Sequence, residues 1–238
     1  PWDYRYYAEK VRKAKYDIDE AELKPYLQLD KMKEAMFWVA GQVYGLTFER
    51  VSGVPTQHPD VEVWEVKDRA GKHRALWHFD PFAREGKQSG AWANTLRSQG
   101  RFPKTTTVIS TNQCNFSKPA EGQPTLLSWS DVTVSLFHEF GHAIHHLNSD
   151  VTYPTLSGAN VTWDYVEFPS QINERWAMTP EVLGRFAVHY ETGKPMPDAL
   201  AEKLRAARTF NQGFATARQL SAAMLDMQIH LAGDADID

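Results

Sequence analysis

Two histidines four residues apart, with a glutamate directly after the first, form the pentad His138-Glu139-Phe140-Gly141-His142. On an α-helix such residues share a face, so both imidazoles can reach one cation while Glu139 points beside it toward an activated water. The stretch from Asp131 to Leu147 has helical patterning almost throughout, which predicts that placement. The chemistry is that of a zinc hydrolase in which Glu139 is the general base. Gly141 removes a side chain between the ligands, either to admit a neighbouring backbone or simply to pack.

A catalytic zinc site needs a third protein ligand and keeps one position open. Beyond His142, the end of the helix and a loop from Asn148 to Asn160 allow the chain to return at the same height on an antiparallel neighbour. Glu167, in Asp164-Tyr165-Val166-Glu167-Phe168-Pro169-Ser170, is then the expected third ligand, for one Zn2+ per chain. Asp164 falls on the same helical face and is the expected acceptor for the free ring N–H of a ligating histidine, although a solvated or capping Asp would give the same pattern. Glu174, one face-repeat beyond Glu167, could also support a ligand, but reads rather as an ordinary ion-pair partner. Pro169 predicts a kink. His145 reads as a satisfied structural histidine, and His58, His73, His78, His189 and His230 are scattered without pattern.

The elements that must hold this site read as mainly α with a small antiparallel sheet. Helices are expected over Tyr4 to Tyr16, from an Asp30 cap to a Gly45 stop, and over Asp131 to Leu147, Val161 to Ala177, Pro180 to Thr192, Pro197 to Thr209 and Gln212 to Leu231, with Gly193 as a helix cap. Val61, Val63, Trp64 and Val66, a polar turn at Asp68 to Gly71, and Ala75, Trp77 and Phe79 predict a hairpin. Thr105 to Asn112 is a third extended stretch, which could offer an edge to a peptide or lie buried inside the sheet.

Across 238 residues, 42% hydrophobic and 12% aromatic content suffices for a real core. The 26 basic and 30 acidic residues are well mixed and net −4, so no basic stripe invites nucleic acid or a membrane surface. Cys114 is the single cysteine, which excludes an internal disulfide and a thiolate zinc site. No apolar run approaches the ~20 residues of a membrane-spanning helix. The compartment leans to the cytoplasm, with the periplasm left open.

Phe137 to His142, Tyr153-Pro154-Thr155-Leu156-Ser157-Gly158 and Asp164 to Trp176 together resemble the thimet oligopeptidase family of zinc metallopeptidases, nearest to its bacterial peptidyl-dipeptidases. The likeness extends through Pro1 to Lys10, His58-Pro59-Asp60, Gly86 to Trp92, Cys114-Asn115 and Leu220 to Asp226, essentially the whole chain. It implies the zincin-like helical catalytic domain of a larger peptidase whose channel admits short unfolded peptides. The implied ligands are His138, His142 and Glu167, and the implied base is Glu139. The implied activity is release of dipeptides from free C-termini; an endo-acting oligopeptidase and an inactive zinc- and peptide-binding fragment are the alternatives.

The expected organisation is one partial catalytic domain over 1–238, helical in 1–60, with a small sheet in 61–116 and a helical zinc-binding part in 131–238. The remainder of the domain would lie beyond the C-terminus, including a glycine- and tyrosine-rich loop whose His and Tyr residues stabilise the oxyanion in the family. The expected partner is a short peptide, and the parent protein is read as a monomer.

Overall fold

In chain order the elements are helices α1 (Tyr4–Tyr16), α2 (Glu20–Leu23) and α3 (Leu29–Tyr44), then strands β1 (Thr47–Val51), β2 (Glu62–Lys67), β3 (His73–Phe82), β4 (Trp92–Arg97) and β5 (Val108–Phe116). A helix follows that is wound with wide π turns over Asp131–His138 and continues as α4 (Glu139–Leu147). Short helices α5 (Trp163–Val166), α6 (Phe168–Glu174) and α7 (Pro180–Phe186) precede α8 (Asp198–Ala207) and α9 (Gln212–Leu231). The computed structural model describes residues 2–233. It divides the chain into two units, one of Glu20–Pro197 and one of Pro1–Asp19 with Asp198–Asp238.

In the larger unit the sheet order is β1-β2-β3-β5-β4. Strands β1 to β3 form an antiparallel meander, β3 and β5 run parallel, and β4 folds back antiparallel along the outer side of β5. The sheet is therefore mixed, and not antiparallel as the hairpin pattern predicts. Parallel neighbours need a long crossover, and here the crossover itself contains β4. Strand β5 lies between β3 and β4, so the expected extended stretch is interior from Val108 on; the sheet edges are β1 and β4. β1 also starts the sheet at Thr47, inside the segment expected to be helical.

The hairpin between β2 and β3 turns as its sequence demands. Asp68 Oδ1 accepts from the N–H groups of Ala70 and Lys72, and Gly71 takes a positive φ of 76° that a side chain would oppose. Helix α3 begins with Gln28 as its cap, while Asp30 sits in the first turn and pairs with Lys33. Gly45 ends that helix in the left-handed conformation, as expected. Gly193 caps no helix, since α7 stops at Phe186 and Gly193 serves the tight turn between Val188 and Pro195.

One face of the sheet is apolar and carries the pentad helix. Trp77, Phe79 and Phe140 are buried; the rings of Trp77 and Phe140 lie 5.2 Å apart, and Phe37 stacks on Phe48 at 4.3 Å. Burying such a ring contributes about 2–3 kcal/mol, so this cluster fixes α4 firmly on the strands. Two polar contacts set its register. Ser110 of β5 meets His146 Nδ1 at 2.9 Å, and the Cys114 thiol donates to the carbonyl of Ser135 at 3.4 Å.

In the smaller unit Tyr4 lies against Phe214 and Tyr16 against Phe210, while Lys203 pairs with Asp17. Helix α9 matches its expected span and leaves Phe214, Leu220, Met224, Leu225 and Leu231 exposed. Among the described residues no helix is long and apolar enough to cross a membrane.

Candidate metal centre

Winding sets the pentad. His138 closes the π-wound segment and Glu139 opens α4, so the two imidazoles come off adjoining turns and their centroids lie 5.0 Å apart. The returning segment, expected as one helix over Val161 to Ala177, breaks at Glu167 into α5 and α6 and ends in a tighter turn over Arg175–Met178. The break falls two residues before Pro169, whose ring cannot follow a continuous helix.

Gly141 lets the two helices meet. A Cβ there would stand 2.6 Å from Ser170 Cα and 3.0 Å from the carbonyl oxygen of Pro169, so the close-approach reading of this glycine holds. As a result Glu167 Oε2 lies 3.1 Å from Nε2 of His138 and 3.2 Å from Nε2 of His142. The ligand atoms of all three residues fall within 4.8 Å of one another. Tetrahedral zinc with bonds near 2.0–2.1 Å sets its ligand atoms about 3.3 Å apart, so the spacing fits the ion. His138, His142 and Glu167 are thus brought together as the sequence predicts.

Their surroundings differ from expectation at one point. His138 Nδ1 donates to Glu174 Oε1 at 2.7 Å, which leaves Nε2 free to face the centre. Glu174 therefore takes the place given to Asp164, which is exposed; among the described hydrogen bonds none joins Asp164 to either histidine. Ser170 Oγ, 2.8 Å from Glu167 Oε2, steadies that carboxylate. Ser170 had no sequence signal beyond its place one turn after Glu167. His145, read as satisfied, has a buried Nδ1 without a hydrogen-bond partner.

Glu139 is only 8% exposed. Burial raises its carboxyl to about 7, with the His138 charge and the backbone N–H of Ala93 pulling down and the Glu167 charge pushing up. A cation held by the three ligands would draw it back toward the ordinary range. His138 is held above its usual value because Glu174, Glu139 and Glu167 together outweigh burial, the largest single influence. His142 goes the other way, lowered chiefly by burial. The Ala93 contact also brings the edge strand β4 next to Glu139, a neighbour that the sequence pattern did not reveal.

Two imidazoles and a carboxylate converging beside a buried glutamate define a metallohydrolase-like centre, and the comparisons name its family. The model of peptidase family M3 matches residues 1–237, and the chain belongs to that family. It is 50% identical over 231 residues to a dipeptidyl carboxypeptidase of Escherichia coli, covering 97% of this chain and 34% of that protein. It is 36% identical over 236 residues to oligopeptidase A of the same organism, again over 97% and 34%, and 37% identical to a probable cytosolic oligopeptidase A of Arabidopsis thaliana, over 96% and 34%. The chain thus spans about a third of the length of these relatives.

Proposed function

We propose that this chain is the zinc-binding catalytic part of a peptidase that acts on short peptides and releases dipeptides from their C-termini. The observation that carries the reading is the convergence of His138 Nε2, His142 Nε2 and Glu167 Oε2 beside the buried Glu139. Zinc bound there supplies a Lewis acid and makes water acidic enough to ionise near neutral pH.

The protein's own groups do the rest. Glu139 takes the proton from the attacking water and passes it to the departing amine, so no serine or cysteine nucleophile is required. The low-dielectric setting of Glu139 strengthens its hold on that proton. Glu174 keeps His138 in the tautomer whose Nε2 is unprotonated. Strand β4 replaces Thr105 to Asn112 as the edge for an extended substrate, because its outer side is unpaired in the sheet and its Ala93 N–H already faces Glu139.

The preference for dipeptide release rests on the identity of 50% to the dipeptidyl carboxypeptidase against 36% to oligopeptidase A. The second reading, an endo-acting oligopeptidase, rests on those oligopeptidase A relatives. We place the full-length protein in the cytoplasm as a monomer, with no nucleic-acid or membrane partner.

One assay separates the readings. The full-length zinc-loaded protein is given peptides with a free or an amidated C-terminus, and the products are identified by mass. Dipeptides from the free form alone support the proposal; internal cleavage of both forms supports the oligopeptidase; no cleavage of either, with zinc bound, leaves a binding module.

A further inference from the structure

The wide-turned segment Asp131–His138 is gripped from two sides by donors that belong to other elements. From the sheet, the Cys114 thiol reaches the carbonyl of Ser135; from α6, Asn173 Nδ2 donates to the carbonyl of Phe137 at 2.6 Å. Both Asn173 and Phe137 are buried, so solvent cannot replace that bond if it is lost. Phe137 is the residue immediately before the first ligand. π turns hold one more residue per hydrogen-bonded ring than α turns, are rare, and concentrate at functional sites.

We infer that Asn173 is a positioning residue for the metal centre: its amide ties the carbonyl of Phe137 to α6, and so fixes the wide turn that presents His138. The same short helix is capped by Glu167 and carries Ser170 against that carboxylate and Glu174 against the His138 ring. Among the described hydrogen bonds none joins the Asn173 side chain to either ring or to the carboxylate. It acts on the main chain, holding the turn at the winding that sets His138 and His142 the right distance from Glu167. Without it the turn can tighten toward α winding, which rotates His138 away from its partners.

This inference rests on the zinc reading of the centre, and the test separates the two. Zinc affinity is measured by competition with a chelator on the full-length protein and on Asn173→Leu, which keeps the branched shape, slightly enlarged, and removes the donor. Thermal stability of both metal-free forms and the visible spectrum of both cobalt-loaded forms are recorded alongside. The expected result is a 10- to 100-fold weaker zinc Kd with an altered cobalt spectrum, the range seen when groups that orient ligands are removed. Asn173→Ser, which keeps a donor of shorter reach, should fall between and serves alone if the leucine variant does not fold. An unchanged Kd and spectrum with only a lower metal-free Tm overturns the inference and makes Asn173 a plain packing residue. Failure of the unaltered protein to bind zinc overturns the metal centre itself, and this inference with it.

Discussion

Two polar clusters in the larger unit show what distinguishes architecture from a working site. At the end of β3, Asp80 is 2% exposed and receives Arg84 through both oxygens, at 2.6 and 2.7 Å. Lys87 binds Asp80 Oδ1 and the carbonyls of Asp80, Phe82 and Cys114. Burial works against the Asp80 carboxylate, yet Arg84 and Lys87 hold it below the usual range. That cluster is closed: every acceptor there meets a donor. In the other cluster, two imidazole nitrogens face one carboxylate oxygen, and Glu167 is 51% exposed. Ser170 Oγ donates to that oxygen, but among the described residues no basic side chain other than the two imidazoles pairs with Glu167. A closed cluster stabilises; an open one has the donor set that could hold a cation.

The largest expected effect lies in the open cluster. Glu139→Gln should keep stoichiometric zinc and lower kcat/KM by about 10²- to 10⁴-fold, since the amide cannot accept the water's proton. Turnover within a few-fold of the unaltered protein would remove the general-base role. The closed cluster should respond in stability instead. Lys87→Met strips the buried Asp80 of one partner and should cost about 3–5 kcal/mol in denaturant unfolding, with zinc affinity unchanged. A loss of zinc affinity without a loss of stability would erase the contrast between the two clusters.

A pH effect of similar size belongs to neither cluster but to the helix that serves the open one. His146 is buried against Ser110, and burial, helped by the His142 and His145 charges, lowers its imidazole to about 4. The unfolded chain takes up that proton near 6.5, the folded one only near 4, so between these values protons favour unfolding. Its contribution is complete above about pH 6.5 and is lost as pH falls toward 4, roughly 3 kcal/mol in all. Unfolding free energies of His146→Gln should be flatter across this window; an unchanged slope would exclude His146 as the cause. The smallest effect is Glu174→Gln, expected to weaken zinc binding about 10- to 100-fold by loosening the His138 tautomer. An unaltered zinc titration would return Glu174 to the ordinary ion pair that the sequence suggested.

The gathering of His138, His142 and Glu167 was legible because helical spacing and a loop of sufficient length constrain it strongly. The choice between Asp164 and Glu174 was not. A continuous helix would put Asp164 on the same face as Glu167, but the break at Glu167, with ψ near −4°, resets the phase and carries Asp164 into solvent. The π winding was equally invisible, since its side-chain periodicity over Asp131 to His138 resembles that of an α-helix. Strand β4 escaped because an edge strand, exposed along much of its length, shows no alternation. The β2–β3 hairpin was plain, yet the parallel pairing of β3 with β5 depends on contacts remote in sequence.

The contact at Gly141 reaches beyond packing. Backbone atoms of the two helices come close there, so the spacing of the elements that carry the histidine pair and the third ligand is set by peptide units. Jaws held so firmly would favour a small ion over a large one. Calcium, which asks for oxygen-rich shells at about 2.3–2.6 Å, should be turned away by size and donor type before any chemistry begins.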